Sequence, residues 1–375
     1  MSHRAQNPLL KYGAIAVATL ACVGCIDKPS STHTEVHVSK NKQSGVADSN
    51  LVPADKFDLT HWSLTLPVDD NKNGKADVIQ VPQLQSYTHS DYFYLNSAGH
   101  LVFMSPNKAA TEVTSTNTRS ELRYESRGAE QSIDEADPKN NWALAAKSDA
   151  ASFDAIGGKL KATLAVDHVS LNAGYPNKPP AYSVVIAQIH AYQFASQEGG
   201  FGWGNEPLKL SYKKWPNHET GSVYWTYERN LDFDDPNRID IEYPVWGRSW
   251  EDPSDPGEQG IALGEAFSYT VNVHENIMYL TFESERLGTV KHQIDLSNNI
   301  DANGHVDELD NPKGYRDDYL YFKAGNYNQC STKDAPSFRY PACPGSGELA
   351  KDIADGNYTK VTFFELVVSA SEAPN

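Results

Sequence analysis

The stretch Gly158–Val169, GKLKATLAVDHV, alternates Leu160, Ala162, Leu164 and Val166 against more polar neighbours. Successive side chains of a strand point to opposite faces, so this is the pattern of a strand with one face in a core. The same texture returns in AYSVVIAQIHAY (Ala181–Tyr192), GSVYWTYE (Gly221–Glu228), AFSYTVNVHENIMYLTFES (Ala266–Ser284), DDYLYFKAG (Asp317–Gly325) and YTKVTFFELVVSAS (Tyr358–Ser371). Clusters of Gly, Pro, Asn and Asp separate these runs, and amphipathic stretches of helical length are absent. Many strands joined by polar turns predict an all-β domain, an antiparallel β-sandwich of the jelly-roll kind.

The texture is uniform from about Pro53 to the end, so residues 53–375 read as one domain. Ahead of it, residues 1–25 read as a signal peptide: Arg4 and Lys11 precede an apolar run, Gly13–Gly24, too short to span a bilayer. That run ends in LACVGC, which resembles a lipoprotein cleavage site, with Cys25, or alternatively Cys22, as the lipidated residue. Residues 26–52 are polar and aromatic-free, a tether between anchor and domain. The expectation is an exported, outer-membrane-anchored lipoprotein, periplasmic or secreted, that meets the membrane only through its lipid. Once the leader is gone Cys330 and Cys343 remain, and two cysteines in a Pro-, Ser- and Gly-rich loop of an exported protein read as a disulfide. The formal charge of −17 argues against nucleic acid as a partner but leaves room for a local basic cleft.

Three short blocks carry candidate chemistry. In TRSELRYES (Thr118–Ser126), a strand would put Arg119, Glu121, Arg123 and Glu125 on one face. Such a row is either a solvated ladder of ion pairs or a cleft floor on which acids hold guanidinium forks for a carboxylate. In AQIHAY, Gln188 and His190 share a strand face with Val184 and Ile186, opposite Val185, Ala187, Ile189 and Ala191. The two polar residues interrupt an otherwise buried strand, either as a structural pair or as a site. In YFKAGNYNQ (Tyr321–Gln329), Tyr321, Lys323, Gly325 and Tyr327 share a face. A phenol, an ammonium, an amide and an imidazole suit proton transfer beside an anionic sugar better than metal binding, and no Ser–His–Asp set accompanies them.

RSELR (Arg119–Arg123), QIH (Gln188–His190) and YFKAGNYNQ closely resemble, in order, the three signature blocks of alginate lyases of polysaccharide lyase family seven. HWSLTLPVDDNKNGKADVIQVPQL (His61–Leu84) also resembles that family's domain start, so the resemblance runs from about Phe57 to the C-terminus. Asn326 departs from it, since the family commonly has a β-branched apolar residue there; on a strand it would point away from Tyr327's face. The resemblance implies a sandwich with a concave substrate-binding sheet, and a monomer that cleaves alginate by β-elimination without a cofactor. It implies Arg119 and Gln188 as the donors that neutralise the uronate carboxylate, His190 as base towards guluronate and Tyr327 as acid. For mannuronate, Tyr327 would act as both base and acid. Lys323 and Arg123 are the cations expected near Tyr327, and with Glu121 and Tyr321 they are expected to line the substrate. Ile189 within QIH points, in this family, to guluronate-containing substrate.

Two rival readings are a glycoside hydrolase on a similar fold and a non-catalytic sugar-binding module. RIDIEY places Asp240 and Glu242 on one strand face, as in some hydrolases, but Arg238 stands where the nucleophile would be. A binding module would not need Gln188, His190 and Tyr327 together. DDNKNGKAD (Asp69–Asp77) has oxygens at alternate positions, as calcium loops do, but Gln80 replaces the closing Glu, and it reads as a polar turn. EGGFGWGN (Glu198–Asn205) combines glycines with Phe201 and Trp203, a candidate lid.

Overall fold

A computed structural model describes residues 51–192, 204–334 and 342–374. The strands, in chain order, are β1 (Trp62–Leu66), β2 (Asp77–Ile79), β3 (Phe93–Leu95), β4 (Leu101–Pro106), β5 (Asn117–Tyr124) and β6 (Trp142–Ala143). Then come β7 (Ala155–Ile156), β8 (Gly158–His168), β9 (Ser183–Ala191), β10 (Leu208–Lys213), β11 (Ser222–Glu228) and β12 (Asp240–Trp246). The last are β13 (Phe267–His274), β14 (Ile277–Ser284), β15 (Gly288–Asp295), β16 (Leu320–Ser331) and β17 (Tyr358–Ser369). They form two sheets, ordered β12-β11-β10-β9-β16-β5-β1-β2 and β15-β14-β13-β8-β17-β4-β3, with the short β6 attached to β16 and β7 to β6. Apart from the two-residue β6–β7 pair, every pairing is antiparallel. This is the expected jelly-roll sandwich.

One apolar core joins the facing sides. Leu160, Ala162, Leu164 and Val166 of β8 lie in it with Leu122 of β5, Ile189 of β9, Trp225 of β11 and Phe322 of β16. The polar partners of that alternation point away, which leaves the outer face of the first sheet free to carry function.

Two irregularities position that face. Between the pairs Leu210↔Ala187 and Ser211↔Val185, strand β9 spends one extra residue, Ile186, in a β-bulge. The alternation is reset there: Val184 and Ile186 enter the core with Ala187 and Ile189, while Val185 comes to lie opposite Tyr327. Val184 and Ile186 therefore do not share the face of Gln188 and His190, contrary to the simple period-two expectation. The second irregularity is Gly325 of β16, at φ +140°; a Cβ there would stand 2.7 Å from the Ser120 carbonyl oxygen and 3.0 Å from Glu121 Cα. Only glycine lets β16 and β5 approach so closely.

The amides of β16 tie the two sheets together. Asn326 is fully buried, donates to the Phe103 carbonyl (3.3 Å) and accepts from Thr359 Oγ1 (2.6 Å). Asn328 donates to Ser105 O and Asn107 Oδ1. The departure at Asn326 is thus compensated on the core side, away from Tyr327. Near the end of β16, Cys330 is disulfide-bonded to Cys343, and both are buried beside Tyr175 and Ala181.

Replacing Gly325 by Ala is expected to destabilise the protein by about 3 kcal/mol, through strained φ and overpacking against β5. Urea denaturation would measure it; an unchanged midpoint would mean that the approach of β16 to β5 is not constrained at this residue.

Candidate active site

Adjacent strands β5, β16, β9 and β10 bring the sequence blocks into register. Lys323 lies opposite both Arg123 and Gln188, and Gln188 lies opposite Lys209. One rung away His190 faces Tyr321, and towards the other end Arg119 faces Tyr327. Gln188 thus sits between His190 and Tyr327 along the β9–β16 seam.

The charged row of β5 is no solvated ladder. Arg119, Glu121 and Glu125 are buried, Glu121 to 1 % exposure. Glu121 sits at the centre: it pairs with Arg119 Nη1 (3.1 Å) and Lys323 Nζ (2.6 Å) and accepts a hydrogen bond from Gln188 Nε2 (2.5 Å). Its oxygens are therefore engaged by the protein, and it positions the donors rather than lining the cleft. Arg119 also pairs with Glu112 (3.1 Å) and donates to Ser115 Oγ (3.0 Å), while its Nε has no partner among the described residues. Arg119 in turn holds the Glu112 carboxyl down to about 2. Glu112 and Ser115, on the approach to β5, carry no motif signal and escape sequence reading.

The cation beside Tyr327 is Arg119, whose Cζ lies 3.9 Å from the ring centroid. The expectation of Lys323 and Arg123 in that place is corrected: Lys323 is committed to Glu121, and Arg123 stacks on Tyr321, 4.2 Å from its centroid, while pairing with Glu125 and Glu135. Burial raises the Tyr327 phenol above its ordinary value, opposed by Arg119 and by Ser115, whose hydroxyl is 3.4 Å away. Tyr327 is consequently a phenol, not a phenolate, at neutral pH.

His190 is set up in the opposite sense. Burial drives its imidazole down to about 4, although Glu206 pulls the other way. Its Nδ1 lies 2.7 Å from the Ala191 carbonyl oxygen and 3.1 Å from the Tyr321 hydroxyl. A carbonyl only accepts, so the neutral ring carries its hydrogen on Nδ1 and a lone pair on Nε2. Tyr321, whose ring stacks on His190 at 5.3 Å, thereby orients the imidazole.

Asp240 pairs with Lys209 (2.8 Å), Glu242 accepts from the Trp250 N–H, and Arg238 pairs with Glu228, so each hydrolase-like acid is engaged by a partner of its own. In Asp69–Asp77, the Asp69 carboxylate accepts from the N–H groups of Asn73 and Gly74, and Asp77 accepts from Asp70 N. The Glu198–Trp203 part of the candidate lid lies outside the described residues.

This geometry can be set against known proteins. The alginate lyase family model matches residues 57–370, nearly the whole described domain. The chain belongs to the alginate lyases of polysaccharide lyase family seven. An alginate lyase of Klebsiella pneumoniae is 37 % identical over 290 residues, 75 % of this chain and 85 % of its own. The crystal structure of the alginate lyase from that organism superposes with a TM-score of 0.67 at 32 % identity, over 86 % of this chain and 99 % of the other. The exolytic alginate lyase AlyA5 from Zobellia galactanivorans superposes at 0.66 with 31 % identity, over 86 % and 99 %. The protein is accordingly an alginate lyase with a polysaccharide substrate, and the hydrolase and binding-module readings fall away.

Glu121→Gln strips buried Lys323 of its carboxylate and is expected to cost about 3–5 kcal/mol of stability. Gln188→Leu removes only a neutral partner and should cost about 1–2 kcal/mol. Denaturation curves of the two variants test the ranking; equal losses would remove Glu121 from the centre of the site.

Proposed function

We propose that this lyase breaks the 4-O-glycosidic bond of alginate by β-elimination and favours guluronate-containing blocks. A C5 proton is barely acidic while the neighbouring carboxylate is ionised. Arg119 and Gln188 supply hydrogen bonds to that carboxylate and stabilise the enolate-like charge that develops on it. Nε2 of His190 takes the C5 proton, the C4=C5 double bond forms, the C4–O4 bond breaks, and the Tyr327 hydroxyl gives its proton to O4. The products carry an unsaturated uronate at the new non-reducing end.

The observation that carries this reading is the opposite tuning of the two proton-transfer groups. His190 is an unprotonated base at neutral pH and Tyr327 a protonated acid. The guluronate preference has the same support. On mannuronate Tyr327 would have to begin as a phenolate, which its raised pKa disfavours. The leader and tether extend the proposal to an exported, lipid-anchored monomer.

His190→Ala and Tyr327→Phe are each expected to lower kcat on polyguluronate by about 10²–10⁴-fold. The ultraviolet absorbance of the conjugated product reports it, and near-wild-type rates in either variant would contradict the assignment. The pH profile is a second check. A base lowered to about 4 is active above that pH and lost below it, so kcat/KM should hold from neutral pH to about 5 and fall only on approaching 4. An acid limb near 6.5, the ordinary imidazole value, would show that His190 is not the buried base described here.

A further inference from the structure

Beside His190 stands a carboxylate that the three signature blocks do not contain. Glu206 precedes β10, and its Oε1 lies 3.6 Å from His190 Nε2. An ionised carboxylate only accepts hydrogen bonds, so Glu206 leaves free the lone pair that must meet the C5 proton. It is close enough to interact strongly with a charge on the ring, because both side chains are only about one-fifth exposed.

Glu206 is itself fixed. Its Oε2 is 3.1 Å from Lys209 Nζ, and Lys209 is anchored on its other side by Asp240 at 2.8 Å. The Glu206 backbone N–H donates to Glu228 Oε2, and Arg238 pairs with Glu228 at 3.1 Å. Burial disfavours the Glu206 anion, but Lys209 and then His190 outweigh it, and the carboxyl stays ionised. A carboxylate beside a site for a polyanion is costly unless it has a task, and this one is aimed at the imidazole rather than at the cleft's donors.

We infer that Glu206, held by Lys209, is a positioning residue for His190 that stabilises the imidazolium formed when Nε2 accepts the C5 proton. This rests on the β-elimination reading above. The proton passes from C5 to Nε2, the Nε2–H then points into the field of Glu206, and the positive charge on the ring is balanced at the moment it appears. Among the described residues, the other groups facing His190 are Tyr321 and Lys323 of β16, Arg119 of β5, and Glu112. Lys323 and Arg119 oppose a positive ring and Tyr321 is neutral, and among the described carboxylates Glu206 is the one that comes within 4 Å of the imidazole, so it is the balancing charge.

The test uses Glu206→Gln and Glu206→Asp in the full-length enzyme, with polyguluronate as substrate. Glu206→Gln should lower kcat by about tenfold or more while KM stays level or falls, because a negative charge near a polyanion has gone. The acid limb of kcat/KM should also move to lower pH, since a ring without its carboxylate is less basic. Glu206→Asp keeps the charge, draws it back from Nε2, and should give an intermediate kcat; it decides the matter if Glu206→Gln does not fold. Wild-type kcat in either folded variant would overturn the inference, as would equal losses in both with the acid limb unmoved, the mark of a packing role. A wild-type enzyme that makes no unsaturated product would instead overturn the reading on which this rests.

Discussion

The site depends on one buried anion. Glu121, 1 % exposed, gathers Arg119 from its own strand, Lys323 from β16 and Gln188 from β9. A carboxylate taken out of water costs several kcal/mol unless its lone pairs are satisfied, and here three donors satisfy them. In return it holds those donors in place before any substrate arrives. In the proposed elimination this is preorganisation: the hydrogen bonds offered to the substrate's carboxylate need no rearrangement when charge develops on it. Since the donors come from three strands, their convergence depends on register, which rests on the contact at Gly325 and the bulge at Ile186.

Around that anion the environment tunes Tyr327 and His190, the proposed acid and base, in opposite directions. The same burial that keeps the imidazole unprotonated keeps the phenol protonated, because desolvation penalises whichever form is charged. Cations and carboxylates then trim each effect: Arg119 beside Tyr327, Glu206 beside His190. Gln188 lies between the two along the strand seam, where the proposed reaction puts the carboxylate of a sugar that spans them.

Much of this was legible in the sequence, and the losses have physical reasons. Alternation such as that of Leu160–Val166 identified the sandwich, because a period of two survives wherever one face is buried. The same rule failed at Val184 and Ile186, where one inserted residue reverses the faces and leaves no mark in a run of uniformly apolar side chains. Gln188 and His190 of β9 were visible because they break an apolar strand with polar groups, while the residues of β5 and β16 gained their roles through the resemblance of their blocks to a known family. Which cation stands over Tyr327 was not, since Arg119, Arg123 and Lys323 all lie on one face and only cross-strand register distinguishes them. Glu206, Glu112 and Ser115 lie outside the recurring strands or at their edges, where a polar residue is ordinary, and only folding brings them to the site.

The most direct measurement is the structure of a slow variant, Tyr327→Phe, with a bound guluronate oligosaccharide. One sugar carboxylate should lie within hydrogen-bond reach of both Arg119 and Gln188, with its C5 turned to Nε2 of His190. A carboxylate directed to solvent or to Arg123, with C5 away from His190, would contradict the account.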